Sequence, residues 1–280
     1  MRRATVLSTL SAALLLLAAN ASSAAATDPI VDARLAAVLE QAGTSGCIVA
    51  LPLGETPRVS SMDACQQRWI PASTFKIPNT LIALETGAVN TTEVFKWDGS
   101  PQAFKPWERD MTLQQALKVS AVPVYQRIAR RIGLSRMATW VKRLNFGSGD
   151  IGDTVDNFWL QGPLTISPIE QARFMQRVAT NDLPLRPETL STLHQIIPQQ
   201  AWGGGQLRGK TGWLTRVGAK RGWYVGWFTP SSSSAAKNKG DQTVAFAVNI
   251  PMPELKLAPL RIALAKRALQ AGGWAQQEAD

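Results

Sequence analysis

Apolar positions recur at helical spacing in residues 28–41, with Ile30, Leu35, Val38 and Leu39 predicted to face inward. The pattern then turns strand-like near 45–52 and 58–66. From Ser73 to Leu193 it is helical again, broken by loops. Two helix starts in this block carry capping boxes, Thr112 with Gln115 and Ser167-Pro168 with Glu170. Strand-like segments return at 206–214, 220–229 and 242–250, and a final helix covers 259–271. The low-complexity stretch 231–240, SSSSAAKNKG, reads as an extended hairpin loop between two of those strands. Strands at both ends with helices between them predict one α+β fold. No internal repeat is present.

A length of 280 residues with 45% hydrophobic content suits a sizeable core in one domain or two interlocked lobes. The first residues stand apart. Arg2 and Arg3 precede the apolar run Val6–Ala19, and small residues follow through Ala26. This predicts a signal peptide over 1–26, cut at Ala24-Ala25-Ala26 or, alternatively, Ala19-Asn20-Ala21. The functional domain is then 27–280, exported to the periplasm and not held in the membrane after cleavage. A membrane anchor is the weaker reading, because the run falls short of the roughly 20 residues a span needs.

The formal net charge is +10, and Arg2 and Arg3 leave with the signal. The densest basic cluster, Arg127 to Arg143, lies among apolar residues at helical spacing, which predicts solvated outer faces. No zinc finger, basic arm or aromatic-rich basic strand supports nucleic-acid binding. The two cysteines, Cys47 and Cys65, flank the turn-rich LGETP at 53–57. If that segment is a β-hairpin, they face each other across it, and an exported chain meets a compartment that permits a disulfide. Two reduced, buried thiols are the alternative.

Chemistry first shows in PASTFK, 71–76, where Ser73 and Lys76 stand one helical turn apart. Ser-x-x-Lys alone is weak: Ser234 and Lys237 also fit, in the low-complexity loop. Context separates them. Ser73 opens a predicted helix, where free backbone N–H groups can stabilise an oxyanion. Pro78 predicts a tightened first turn. Ser120 ends one helix in SAVPVYQ, and Lys210-Thr211-Gly212 lies in a strand, where Gly212 is expected to let a substrate backbone approach. The order S-x-x-K, second serine, K-T-G belongs to serine acylating enzymes. The only histidine, His194, has no triad-like neighbours and reads as structural. The loop Phe146–Leu164 offers Asp150, Asp153 and Asp156 but no glutamate. Lys76 remains as the candidate base, if burial keeps its amine neutral.

With FKWDG, WERDMTL, DNFWLQGPLTIS, GKTGW and WYVGWF in the same order, the mature chain resembles the class D serine β-lactamases, the OXA-type oxacillinases. The resemblance implies a central antiparallel sheet flanked by helices, with a helical subdomain, as in penicillin-binding transpeptidases. It implies hydrolysis of β-lactam antibiotics, and hence resistance, by a Ser73 acyl-enzyme. Lys76 would be an N6-carboxylysine acting as general base, formed from CO₂ or bicarbonate, with no metal or other cofactor. Val122, Trp159 and Leu160 would line the carbamate pocket, the Trp159 indole N–H holding the group. Ser120 would relay a proton to the lactam nitrogen, and Lys210 would add positive potential. Thr211 and Arg261 would take the substrate carboxylate, beside Gly212, and the amides of Ser73 and Trp213 would form the oxyanion hole. Two positions depart from the family: Phe146-Gly147-Ser148 replaces a common Tyr-Gly-Asn, and Phe104 a common methionine. Either would shift substrate preference without breaking the core chemistry. The competing readings are a transpeptidase, usually membrane-anchored, and a covalent β-lactam sensor domain, normally fused to transmembrane segments.

Overall fold

A computed structural model of the chain describes residues 28–231 and 242–277. The expected signal peptide and nearly all of the 231–240 loop, Ser234 and Lys237 included, lie outside the described residues. No helix among the described residues is long and apolar enough to cross a membrane.

The N-terminal part supplies β1 (Ile30–Val31), α1 (Ala33–Gln41), β2 (Cys47–Pro52), β3 (Arg58–Val59) and α2 (Met62–Gln66). The helical middle supplies α3 (Lys76–Glu85), a short ribbon of β4 (Val94–Phe95) and β5 (Met111–Thr112), α4 (Leu113–Lys118), α5 (Val122–Ile132), α6 (Leu134–Arg143), α7 (Phe158–Gln161), α8 (Pro168–Ala179) and α9 (Pro187–Ile196). The chain closes with β6 (Gln199–Trp202), β7 (Gly205–Leu214), β8 (Arg221–Pro230), β9 (Val244–Pro251) and α10 (Ala258–Ala271). Seven strands form one sheet in the order β1-β3-β2-β9-β8-β7-β6, antiparallel except for β1 beside β3. The two ends of the chain thus meet in the middle of the sheet, where β2 pairs with β9 from Cys47↔Asn249 to Pro52↔Val244.

The sheet is covered on both faces, which is why β2 and most of β8 and β9 read as continuous apolar runs rather than alternating ones. On one face lie α1, through Leu35, Val38 and Leu39, and α10, through Arg261, Leu264, Ala265, Ala268 and Leu269, a stripe at helical spacing. On the other lie α8 and the helical middle. Both predicted capping boxes are formed, at Thr112–Gln115 and Ser167–Glu170.

Three expectations need correction. Ile30 does not face inward from a helix: it lies in β1, 55% exposed, and α1 starts only at Ala33, capped by Asp32. The predicted strand over 58–66 ends at Val59, because Ser61 caps a helix and accepts from the Ala64 amide. The cysteines therefore do not face each other across a hairpin. Cys47 on β2 is joined to Cys65 on α2, with Cα atoms 5.1 Å apart, so the disulfide pins a helix onto the sheet.

The disulfide closes a loop of 18 residues, so a Cys47→Ala/Cys65→Ala double variant is expected to lose about 3 kcal/mol of stability. Urea unfolding measures this, and equal midpoints for the oxidised wild type and the variant would show the bond to be thermodynamically idle.

Candidate active site

Ser73 sits in a tight 3-10 turn, Ala72–Phe75, that runs directly into α3. The turn is tightened as Pro78 leads one to expect, since proline supplies no N–H to the helix ladder. Ala72, just before Ser73, has φ 50°, a left-handed conformation costly for a residue with a Cβ. Its surroundings hold it there. Thr74 Oγ1 donates to the Pro71 carbonyl at 2.8 Å and accepts from Gln171 Nε2 at 2.7 Å, while Trp223 Nε1 donates to the Ile70 carbonyl at 3.1 Å.

One turn on, Lys76 Nζ lies 2.8 Å from Ser73 Oγ. Lys76 is fully buried, its amine 5.3 Å from the centre of the Tyr125 ring. Thr80 Oγ1 donates its only proton to the Lys76 carbonyl at 2.7 Å. The Tyr125 hydroxyl, 2.7 Å from Thr80 Oγ1, must therefore be the donor in that pair.

Ser120 sits between α4 and α5 with φ 59°, a second left-handed non-glycine at the site. Its hydroxyl is 2.9 Å from Lys210 Nζ, which also donates to the Thr211 carbonyl at 2.9 Å. Lys210 arrives on β7, which β6 pairs only from Gly205 to Arg208. Beyond that point the outer edge of β7 is unpaired within the sheet. The Gly209 amide still turns outward, donating to the Pro198 carbonyl at 3.0 Å. Strand alternation then points the amides of Thr211 and Trp213 out of the same edge. Gly212 lies against the Ser73 turn: an added Cβ would stand 3.1 Å from the Pro71 carbonyl oxygen and from a Thr74 methyl. The close approach that Gly212 permits is thus that of the Ser73 turn. Arg261 reaches over from α10, donating to the Gly212 carbonyl at 2.6 Å and to Ala258 at 2.9 Å.

These groups converge on a cleft of about 560 Å³ whose wall includes Ser73, Ser120, Val122, Leu160, Trp213 and Arg261. Thr211 and Gly212 line it too, and no aspartate or glutamate does. Phe104 and Trp107, packed edge to face at 4.9 Å, form its aromatic rim. Trp159 is fully buried, stacked 5.5 Å from Phe75, and its indole Nε1 has no hydrogen-bond partner among the described residues.

Residues 26–269 match the penicillin binding protein transpeptidase domain family. Beta-lactamase OXA-48 of Klebsiella pneumoniae is 39% identical over 212 residues, 75% of this chain and 77% of that protein. A class D β-lactamase named YbXI from Nostoc, known as a crystal structure, aligns at a TM-score of 0.79 with 34% identity, covering 85% of this chain and 98% of that one. The chain belongs to the class D β-lactamases. FUS-1 (OXA-85) of Fusobacterium nucleatum subsp. polymorphum, another class D β-lactamase, aligns at 0.79 with 33% identity over 85% of this chain and 97% of that one.

The enzyme is accordingly a serine hydrolase, and further residues of its site were silent in the sequence. Thr74, within the turn, and Gln171, Trp223, Thr80 and Tyr125, from three helices and a strand, fasten the Ser73 turn and the Lys76 backbone. The departures from the family fall in two different places. Phe146 is buried, 5.6 Å from Phe75 and 4.9 Å from Phe174, whereas Phe104 is exposed on the cleft rim. His194 Nε2 donates to the Val178 carbonyl at 2.9 Å and its ring tilts against Trp227, so it serves packing.

Burial, with the charge of Lys210 second, holds the Lys76 amine well below the usual lysine range. Burial, with Arg261 second, lowers Lys210 to about 7, so near neutral pH its amine exists in both protonation states. Unfolding returns Lys210 to its ordinary value of 10.5. Between those two pKa values the unfolded chain binds more protons, so stability rises with pH across that window. Lys76 acts in the same direction. Lys210→Met is expected to flatten the slope in part, measured by urea unfolding between about pH 7 and 9.5. An unchanged slope would mean that Lys210 is not titrating in this window.

Proposed function

We propose that this β-lactamase is exported to the periplasm and opens β-lactams by an ester on Ser73, with a CO₂-derived carbamate on Lys76 at the base position. The carrying observation is Lys76 itself: a fully buried amine, held away from its charged form, 2.8 Å from the Ser73 hydroxyl. An ammonium accepts no proton, whereas a buried neutral amine can add to CO₂. The site suits the product. Trp159 offers a buried indole N–H with no partner among the described residues, a donor for one carbamate oxygen. Once bound, the group supplies an anionic proton acceptor beside Ser73.

The protein's own residues then divide the work. Ser73 Oγ forms a bond to the lactam carbonyl carbon and gives up its proton on the Lys76 side. The amides of Ser73 and Trp213 hold the resulting oxyanion. As the carbon–nitrogen bond breaks, the nitrogen takes the Ser120 proton, replaced from Lys210, whose pKa of about 7 suits both giving and regaining one. Thr211 and Arg261 receive the ring carboxylate. Water hydrolyses the ester and frees Ser73. A transpeptidase or a covalent sensor shares the first half but lacks efficient ester hydrolysis. A chromogenic cephalosporin separates them: repeated turnover supports the lactamase, and a single stoichiometric acylation supports the others.

Intact-mass measurement after mixing with a slowly hydrolysed β-lactam is expected to show one adduct, mapping to the peptide containing 71–76 and absent from Ser73→Ala. An adduct on Ser120 instead would reassign the nucleophile.

Carbon-13 NMR of protein equilibrated with labelled bicarbonate is expected to show one carbamate resonance that disappears in Lys76→Ala. The resonance should weaken in Trp159→Phe, which keeps the apolar wall but removes the donor. Acid should also remove it, because protonation of the amine drives CO₂ off. Active wild-type enzyme with no such resonance would rule out the carbamate and leave an ordinary amine base.

A further inference from the structure

A second cavity, of about 320 Å³, opens around the free edge of β7 and shares Thr211 with the catalytic cleft. It lies where β6 stops pairing, between Gln199 on that strand, Lys118 at the end of α4, Ile262 on α10 and Tyr224 on β8. Two features make it more than a surface dent. Tyr224 is only 5% exposed and lines the cavity, yet its hydroxyl makes no hydrogen bond among the described residues. Its ring is fixed: an added Cβ on Gly209 would lie 2.8 Å from that hydroxyl oxygen, and Phe246 packs 5.1 Å from the ring on the other side. Burial also raises the Tyr224 pKa, so the hydroxyl stays a proton donor at neutral pH. The second feature is charge. Lys118 is exposed and in no ion pair among the described residues, and no acidic residue lines the cavity.

A fixed hydroxyl donor, a free ammonium and no carboxylate suit an organic anion. Resting on the reading of Thr211 and Arg261 as the seat of the ring carboxylate, we infer that this cavity is a side pocket for an acidic substituent carried next to that carboxylate. In a cephalosporin, position 3 adjoins the carbon bearing the carboxylate. A substituent there leaves Thr211 on the side away from the lactam carbonyl, toward Lys118 and Tyr224. The pocket would distinguish cephalosporins by the charge at position 3, independently of the acyl side chain.

The test uses two cephalosporins with the same acyl side chain, one bearing 3-methyl and the other 3-(2-carboxyethyl), a group that does not depart on ring opening. The readout is the ratio of their kcat/KM values, with the 3-methyl compound as internal reference. An exposed ion pair supports a wild-type preference for the acid of about fivefold, carried by KM. Lys118→Gln and Tyr224→Phe are each expected to reduce the ratio by about two- to fivefold, and Lys118→Glu to invert it. Lys118→Arg should keep it, and added salt should weaken it where position 118 keeps its positive charge but not in Lys118→Gln. A ratio near one in the wild type, or one that no variant moves, overturns the proposal. So does an equal fall for both substrates, which would make Lys118 and Tyr224 merely structural. Failure of the wild type to turn over either compound while it hydrolyses a penicillin would likewise overturn the proposal, and failure with a penicillin as well would overturn the β-lactamase reading beneath it.

Discussion

Two lysine amines buried side by side set the terms for the rest of this structure. Among the described residues neither Lys76 nor Lys210 is held by a carboxylate: Lys76 meets the Ser73 hydroxyl, and Lys210 the Ser120 hydroxyl and the Thr211 carbonyl. Burial dominates the lowering of both pKa values, and each also feels a neighbouring cation. Such a pair weakens the fold, because desolvated charge is costly and the unfolded chain relieves it. The cost persists only because surrounding structure fixes these side chains in place. That surplus comes from a sheet covered on both faces and a disulfide pinning α2 to β2.

The same logic extends to the backbone. Ala72 and Ser120 both take left-handed conformations, each costing on the order of 1–3 kcal/mol. Each stands at, or beside, a serine hydroxyl paired with one of the buried amines. Relaxing either would turn that hydroxyl away from its lysine. The hydrogen bonds that hold the Ala72 turn and the Lys76 backbone come from distant parts of the chain: Gln171 on α8, Trp223 on β8, and Tyr125 on α5 through Thr80. The site is therefore a property of the whole fold, and its geometry fails if helices and sheet separate.

This explains which parts were legible in the sequence. The capping boxes at Thr112 and Ser167 were readable because both partners lie within one turn. The long strands β7, β8 and β9 were readable because their apolar runs are bounded by turns. Strand β6 was missed, since QQAW buries only Trp202 and its partner is another strand rather than the core. Helix α2 was missed because five residues give no period, although Ser61 and Asp63 marked its start. Ser73 and Lys76 were legible as a local pair. The left-handed turns at Ala72 and Ser120 were not, because neither residue type advertises φ > 0. The bond between Tyr125 and Thr80, 45 residues apart, left no local trace.

Phe146 belongs to the aromatic packing around the Ser73 turn, the same turn that leads into the buried Lys76. Phe146 packs edge-on against Phe75 and Phe174, and Phe75 in turn contacts Phe158 and Trp159. Phe158 and Trp159 also meet each other at 5.0 Å. The result is a continuous aromatic wall directly beneath the Ser73 turn. A phenol at 146 would bring a hydroxyl needing a partner or a water into that wall. Phenylalanine brings neither, so the packing beside Phe75 stays apolar at that position. The one polar side-chain atom in the wall is the indole nitrogen of Trp159, without a partner among the described residues. An apolar wall with a single donor would disfavour a cation at Lys76 and favour one hydrogen-bonded anion, which is the form the proposed carbamate would take.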